Sequence, residues 1–164
     1  MVRHPTGRPQ SRSGQAAPLT PDEARLLLSA EGRAAVAFAQ GLDLGSPIAA
    51  AEAVRPFGAL GRLALEQARL KRRALAKHPD GDQLWWTAEA LEQSTPRPVA
   101  VHHAARFAGV STVLDLGCSV GGDLLALGAV APVVGVDLDE ARLLLAQANT
   151  GAPAVCADVT RMDP

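Results

Sequence analysis

Three short apolar segments, each carrying an aspartate at or near its carboxyl end, constrain the fold of this 164-residue chain most. They span residues 113–116, 133–137 and 154–158, and two stretches with helical periodicity, 124–129 and 139–149, separate them. Alternation of short apolar strands with helices is typical of a parallel sheet. We therefore predict an α/β fold with a βαβαβ unit over residues 111–164.

The aspartates of these segments define the expected position of a binding site. Asp115, Asp137 and Asp158 would lie at the carboxyl edge of the sheet. Ligands of open parallel sheets bind beyond that edge. We predict the strand order 3-2-1, and we expect helices on both faces because the segments are apolar throughout.

A glycine-rich turn follows the first predicted strand and leads into a helix. Gly117 and Gly121 lack a Cβ, so their backbone N–H groups can approach a ligand closely. The turn differs from the G-x-G-x-x-G pattern of dinucleotide-binding folds because residue 119 is serine. It is also no P-loop, since Gly-Lys-Ser/Thr occurs nowhere in the sequence. A tight strand–helix connection without a ligand is the simpler alternative.

The first 110 residues lack the strand pattern of residues 111–164 and instead predict a tail followed by helices. Residues 1–19 are rich in proline and arginine without periodicity, and we predict a disordered tail there. Residues 20–110 predict a helical module, which begins at the capping sequence Thr20-Pro21-Asp22-Glu23. Its longest predicted helix spans residues 59–77, and Gly32 is expected to separate the first two helices.

Charge is spread unevenly between these two parts. Residues 1–110 hold 14 basic and 10 acidic side chains, net +4, whereas residues 111–164 hold 2 basic and 7 acidic, net −5. A basic cluster at the end of the longest helix could contact RNA phosphates, or it could be a solvated helix end. The cluster comprises Arg69, Lys71, Arg72 and Arg73.

Composition excludes several classes of protein. No uncharged apolar run approaches the roughly 20 residues of a membrane span, and the N-terminus lacks the apolar stretch of a secretory signal. Two isolated cysteines, Cys118 and Cys156, fit neither a disulfide framework nor a zinc site. We expect a cytoplasmic protein with no metal and no membrane contact.

At the predicted carboxyl edge the sequence resembles a known family. Residues 115–122, Asp-Leu-Gly-Cys-Ser-Val-Gly-Gly, look like motif I of class I S-adenosylmethionine-dependent methyltransferases. Residues 135–138 and 157–159 look like their second and third motifs. The resemblance implies S-adenosylmethionine as cofactor, with Asp137 on the ribose hydroxyls, Leu138 on adenine and Asp158 on the adenine amine. The residues implied to bind the cofactor are Asp115, Gly117, Cys118, Gly121, Asp137, Leu138, Asp158 and Val159.

A second resemblance extends upstream of the turn. Trp86-Thr87 and residues 93–104 are similar to trimethylguanosine synthase-like RNA methyltransferases, including bacterial members with a THUMP-like domain. Those proteins place a helical module before a Rossmann-like domain. Ser119 and Asp123 depart from the family pattern, which has glycine and asparagine there.

The resemblance also implies what lies outside this sequence. The family's catalytic Asn/Asp-Pro-Pro-aromatic motif follows a fourth strand, and Asp163-Pro164 comes too soon after Asp158 to be that motif. We therefore expect an N-terminal fragment of an RNA methyltransferase, inactive alone, whose partner is the missing C-terminal half of its domain. The catalytic residues are unknown. The alternatives are a non-catalytic S-adenosylmethionine-binding module and an NAD(P)-dependent Rossmann enzyme.

Overall fold

A computed structural model describes residues 17–161 of the chain. Its helices and strands, in chain order, are α1 (Pro21–Leu28), α2 (Ala30–Gln40), α3 (Pro47–Ala53), α4 (Ala59–Ala74), α5 (Ala88–Gln93), α6 (Arg97–Ala104), β1 (Val113–Leu116), α7 (Gly122–Leu127), β2 (Val133–Asp137), α8 (Glu140–Thr150) and β3 (Ala154–Cys156). The predictions for residues 1–16 and for Asp163-Pro164 lie outside the described residues.

The three strands form one parallel sheet in the order β1-β2-β3. Asp115 of β1 is in register with Gly135 of β2, and Asp137 of β2 with Cys156 of β3. The prediction of a mixed α/β fold with a three-stranded parallel sheet is confirmed. Strand β3 ends two residues before Asp158, which lies in the loop that follows.

The start of α1 follows directly from the local sequence. Thr20 accepts a hydrogen bond from the Glu23 backbone, and the Glu23 carboxylate accepts one from the Thr20 backbone, which completes a capping box. The break between α1 and α2 falls at Ser29, so the expectation that Gly32 forms the break was wrong. A Cβ on Gly32 would lie 2.2 Å from the Leu26 carbonyl oxygen, so glycine there permits close packing of α2 on the end of α1.

One hydrophobic core joins the N-terminal helices to the first part of the sheet region. Trp85 and Trp86 are buried in it together with Val120 of the glycine turn and Leu145 of α8. Helix α1 also packs along α8. A division of the chain near residue 110 remains a prediction, but side chains from both sides of it share this core.

The basic cluster at the end of α4 is smaller than predicted. Lys71 is buried, and its Nζ donates to the carbonyl oxygens of Asp82 and Leu84 at 3.2 and 2.7 Å. Burial lowers the pKa of Lys71 to about 8. Lys71 is therefore part of the core, and only the three arginines of the cluster are exposed.

Helices cover one face of the sheet in the described part of the chain. Helices α7 and α8 pack on the strands, whereas Leu114, Leu116 and Val155 on the opposite face are 55%, 56% and 50% exposed. The register places these three side chains on one face. The expectation that helices cover both faces was therefore wrong for residues 17–161. On this open face the central strand still buries Val136, whereas the apolar side chains of the two outer strands are exposed.

This open face leads to a prediction about association. We expect the 164-residue chain to self-associate, because an exposed apolar sheet face and an unpaired edge strand are templates for intermolecular contact. Sedimentation velocity should show concentration-dependent oligomers, and Leu114→Lys should reduce them. Ile48→Lys is the matched control, since Ile48 is an exposed apolar side chain on α3, away from the sheet. A monomer at every concentration would contradict the prediction.

Candidate functional site

The glycine turn between β1 and α7 is fixed to β2 by backbone hydrogen bonds. The N–H groups of Gly117 and Cys118 donate to the Val136 carbonyl at 2.7 and 3.0 Å. Ser119 has a φ of 52°, and its N–H donates to Asp137 Oδ2 at 2.8 Å. A left-handed conformation costs a non-glycine residue roughly 1–2 kcal/mol. Ser119 adopts this strained conformation, and its hydrogen bond to Asp137 offsets part of the cost.

Asp137 is the organising side chain of the site. Its Oδ2 accepts from Ser119 N, and its Oδ1 accepts from the backbone N–H of Asp139 at 2.9 Å. Asp139 in turn caps α8 by accepting from Arg142 N at 3.1 Å. Each Asp137 oxygen keeps a free lone pair. The carboxylate is thus oriented from both sides and can accept further hydrogen bonds, for example from a pair of sugar hydroxyls.

Asp115 lies beside Asp137 with a buried oxygen that lacks a partner. Asp115 Oδ2 and Ser119 Oγ are both buried, and neither has a hydrogen-bond partner among residues 17–161. Burial, then the charges of Asp123 and Asp137, raise the pKa of Asp115 to about 6. Buried polar atoms in proteins are normally paired. The orphaned oxygens and the excess of negative charge therefore fit a ligand that carries donors or positive charge.

Asp123 and Thr95 extend the site in a way that sequence reasoning missed. Thr95 Oγ1 donates to Asp123 Oδ2 at 3.1 Å, which ties the segment before α6 to the first turn of α7. Thr95 does not cap α6: the N-cap is Pro96, and no side chain caps the helix. The only hint in the sequence was the departure at Asp123 from the family pattern.

The two glycines of the turn meet different surroundings. A Cβ on Gly117 would have no atom within 4 Å, whereas a Cβ on Gly121 would lie 2.9 Å from Thr150 Cγ2. Both residues have positive φ, 86° and 85°. Gly117 therefore faces open space where a ligand can lie against the backbone, and Gly121 is packed against the end of α8.

This difference predicts opposite consequences for two alanine substitutions. Gly121→Ala should destabilise the protein by about 2–4 kcal/mol, because strain at positive φ adds to the clash with Thr150. Gly117→Ala should cost only the strain, about 1–2 kcal/mol, but should obstruct ligand binding at the open side of the turn. Urea denaturation and ligand titration of both variants measure the two effects. Equal stability losses for both variants would contradict this assignment of the two faces.

Cys118 contributes packing from below the turn. Its Sγ would lie 2.8 Å from a Cβ on Gly135, so glycine in β2 makes room for the thiol. Burial, then the charges of Asp115 and Asp137, raise the pKa of Cys118 to about 12. The thiol stays protonated at neutral pH and is no nucleophile. A ligand of the turn would meet the backbone of Cys118.

The remaining predicted residues lie at the ends of β2 and β3. Leu138 is 69% exposed beside Asp137, where an apolar ligand surface can reach it, and Val159 is also exposed. Asp158 Oδ1 accepts from Thr160 N at 3.0 Å and from Thr160 Oγ1 at 2.6 Å, and both bonds lower the pKa of Asp158. The structure thus brings Asp115, the turn and Asp137 together, whereas the Asp158 carboxylate bonds within its own loop.

A cavity of about 500 Å³ lies between α1, α4 and the start of α8, and Asp139, the neighbour of the site, lines it. Arg62 and Arg142 line it, and carboxylates hold both: Glu23 lies 2.9 Å from Arg62, and Glu89 lies 2.6 Å from Arg142. The cavity therefore presents paired charges, in contrast to the orphaned oxygens at the strand ends.

Metal sites and membrane-spanning helices are two further features that residues 17–161 could hold. That part of the chain contains no group of three or more His, Cys, Asp or Glu side chains arranged to hold a metal ion. Over the same residues, every helix is too short or too polar to cross a membrane.

Comparison with known proteins gives a similarity over part of the chain. No protein-family model matches. Proteins of two Mycobacterium tuberculosis strains, CDC 1551 and H37Rv, are 40% identical over 114 residues, and both are named uncharacterized S-adenosylmethionine-dependent methyltransferases. The alignment covers 65% of this chain and 32% of each relative, so the chain spans about a third of their length.

Among solved structures, a candidate methyltransferase from Porphyromonas gingivalis W83 overlaps 57% of this chain and 26% of its own. Its TM-score is 0.47 at 20% identity. The sequence similarity to the mycobacterial proteins supports the resemblance to S-adenosylmethionine-dependent methyltransferases that the motifs indicate.

Proposed function

We propose that this chain holds S-adenosylmethionine as part of a class I methyltransferase. The observation that carries the proposal is the hydrogen bond from Ser119 N to Asp137 Oδ2, which joins the glycine turn to the acid of the second strand in one cradle. The names of the two mycobacterial relatives support it.

The residues present fit this cofactor. Asp137 would accept from the ribose hydroxyls with the lone pairs that Ser119 and Asp139 leave free. Asp115, with its unpartnered buried oxygen, would receive a donor from the positively charged amino acid end. The open side of Gly117 gives the backbone access that a bulky ligand needs, and exposed Leu138 would pack on the adenine ring.

When bound, S-adenosylmethionine supplies an electrophilic methyl group on a sulfonium. The residues of this chain bind the cofactor and fix its direction, and alignment of nucleophile, methyl and leaving group is a large part of such catalysis. Asp115, Asp123 and Asp137 place negative charge around the turn, which favours a cationic ligand. We assign no catalytic residue to this chain.

We propose that other parts of the same methyltransferase domain cover the open face of the sheet. Leu114, Leu116 and Val155 would be covered by further strands and helices of the methyltransferase domain, with a fourth strand paired to β1. The length of the mycobacterial relatives, about three times the matched portion, supports this arrangement.

RNA is the substrate that we propose for the whole enzyme. Arg69, Arg72 and Arg73 are exposed near the end of α4, although Glu92 lies 3.7 Å from Arg73. Changing all three to glutamine should weaken binding of a single-stranded RNA and reduce its salt dependence. Changing Arg25 and Arg55, which are exposed and ion-paired elsewhere, is the control. Equal RNA affinity in both variants would argue against this surface.

Equilibrium binding of radiolabelled S-adenosylmethionine tests the cofactor assignment. We expect saturable binding that S-adenosylhomocysteine displaces and NAD does not. Displacement by NAD would favour a nicotinamide-dependent enzyme, because its ribose would use the same aspartate. Binding without methyl transfer to RNA, even by a protein extended to the length of the relatives, would favour a non-catalytic binding module. Absence of binding would refute the proposal.

A further inference from the structure

Asn149, in the last turn of α8, makes three hydrogen bonds that join distant parts of the chain. Its Nδ2 donates to the carbonyl oxygens of Val120 at 2.8 Å and Trp85 at 3.0 Å, and its Oδ1 accepts from Trp85 N at 2.7 Å. The partners fix the orientation of the amide, because two carbonyls require donors and one N–H requires an acceptor. Only asparagine offers this set at this length.

Val120 is the residue of the glycine turn between Ser119 and Gly121. Its side chain is buried in the core that the N-terminal helices share with α8. Next to it, Gly121 packs against the same helix end, since an added Cβ would lie 2.9 Å from Thr150. The C-terminal end of α8 therefore packs against the glycine turn, and Asn149 donates a hydrogen bond to the Val120 carbonyl of that turn.

Trp85, the other partner, lies in the loop between α4 and α5. Lys71 Nζ lies 4.5 Å from the centroid of its ring and donates to the adjacent Leu84 carbonyl. Trp85 is itself 5% exposed. Asn149 thus connects Trp85, which is buried in the core of the N-terminal helices, to the turn that carries Ser119.

We propose that Asn149 is a positioning residue that couples the N-terminal helices to the cofactor site. By holding the Val120 carbonyl, it keeps the neighbouring Ser119 N–H directed at Asp137. By holding both backbone groups of Trp85, it transmits a change in the turn to the loop between α4 and α5. The effect on ligand binding rests on the proposed function, whereas the effect on the turn itself does not.

Amide hydrogen exchange of the ligand-free protein tests the first part. In Asn149→Ala, the amides of Ser119 and Gly121 should exchange at least about tenfold faster, because the turn loses the hydrogen bond at Val120. Asn149→Asp should behave alike, since it keeps an acceptor for Trp85 N but loses the donors. Gln147→Ala, an exposed change on the same helix, should leave both amides unchanged.

A second control distinguishes a local effect of Asn149 on the turn from a general loss of stability. Leu63→Ala removes a buried side chain of α4 without touching the turn, and it should speed exchange across the core rather than at these two amides. If Leu63→Ala raises exchange at Ser119 and Gly121 as much as Asn149→Ala does, at matched stability, Asn149 has only a structural role and the proposal is wrong. Unchanged exchange in Asn149→Ala overturns it as well.

The coupling itself has a spectroscopic signature. S-adenosylhomocysteine added to the wild-type protein should shift the backbone amide signal of Trp85, and the shift should disappear in Asn149→Ala while affinity falls about tenfold. A Trp85 shift that persists in the variant overturns the coupling. If the wild-type protein binds no S-adenosylhomocysteine, the proposed function fails, and the exchange experiment still decides whether Asn149 positions the turn.

Discussion

Asp137→Ala should weaken binding of S-adenosylhomocysteine by about 100-fold or more. The substitution removes the acceptor for the ribose hydroxyls, and hydrogen bonds to a charged group contribute about 1.5–3 kcal/mol each. It also releases Ser119 N and Asp139 N, which the Asp137 carboxylate holds at 2.8 and 2.9 Å. Both the contact and the shape of the turn are lost together. Isothermal titration calorimetry measures the change in affinity directly.

Glu140→Ala is the matched control for this loss of a carboxylate. Glu140 lies three residues along the chain, at the start of α8, and its exposed side chain pairs with Arg25 outside the site. The control should bind with nearly wild-type affinity, because an exposed ion pair contributes little. If Asp137→Ala binds within threefold of the wild type, the assignment of the ribose acceptor is wrong.

Asp115→Asn should stabilise the ligand-free protein at pH 7.5 by about 1–2 kcal/mol. Burial and the charges of Asp123 and Asp137 raise the pKa of Asp115 from 3.8 to about 6. A shift of this size corresponds to about 3 kcal/mol, and partial exposure of the carboxylate reduces it. Asparagine keeps the shape of the Asp115 side chain and removes its negative charge, and the buried Oδ2 of Asp115 has no hydrogen-bond partner.

The pH dependence of the stability gain shows whether the raised pKa of Asp115 causes it. The folded protein holds the Asp115 proton more tightly than the unfolded chain, so the ionisation of Asp115 reduces stability as pH rises from about 4 to 6. The gain from Asp115→Asn should therefore be near zero at pH 4 and complete above pH 7. Urea denaturation at several pH values measures it.

Asp158→Asn is a control at a carboxyl whose pKa is shifted in the opposite direction, downward. Hydrogen bonds from Thr160 lower the pKa of Asp158, so its ionised form is favoured in the folded state. Removing that charge should leave stability unchanged or slightly lower at pH 7.5. A gain for Asp115→Asn that is independent of pH would contradict the explanation from burial and like charges.

Local sequence determined much of the secondary structure. The capping box of Thr20 and Glu23 and the short apolar strands each depend on a few neighbouring residues. The sequence therefore predicts the start of α1 and the three parallel strands. The sequence identified Ser119 as a departure from the glycine of the family pattern, and the structure shows that this serine adopts a positive φ.

Contacts between distant residues were not predictable in this way. Lys71 carries the same charge as its neighbours on α4, and only the packing of Trp85 and the Leu84 carbonyl reveals that it is buried. Asn149 and Thr95 are ordinary polar residues in the sequence. Their roles depend on Val120 and Asp123, which lie 29 and 28 positions away, so no local pattern indicates them.

The two exposed leucines of β1 show a second feature that the sequence predicts only in part. Leu114 and Leu116 are typical of a strand buried on both faces, and the sequence alone predicts that something covers them. It does not show which residues do so. The structure of residues 17–161 leaves this face open.

Titration of the isotope-labelled chain with S-adenosylhomocysteine, followed by NMR, tests the central claim most directly. We predict saturable shifts of the backbone amide signals in the turn 117–122 and at Asp137 and Leu138, where the cradle is formed. The signals of Leu63 and Glu66, which line the neighbouring cavity on the α4 side, should remain unchanged. Shifts confined to that cavity, or none at all, would contradict a cofactor site at the carboxyl ends of the strands.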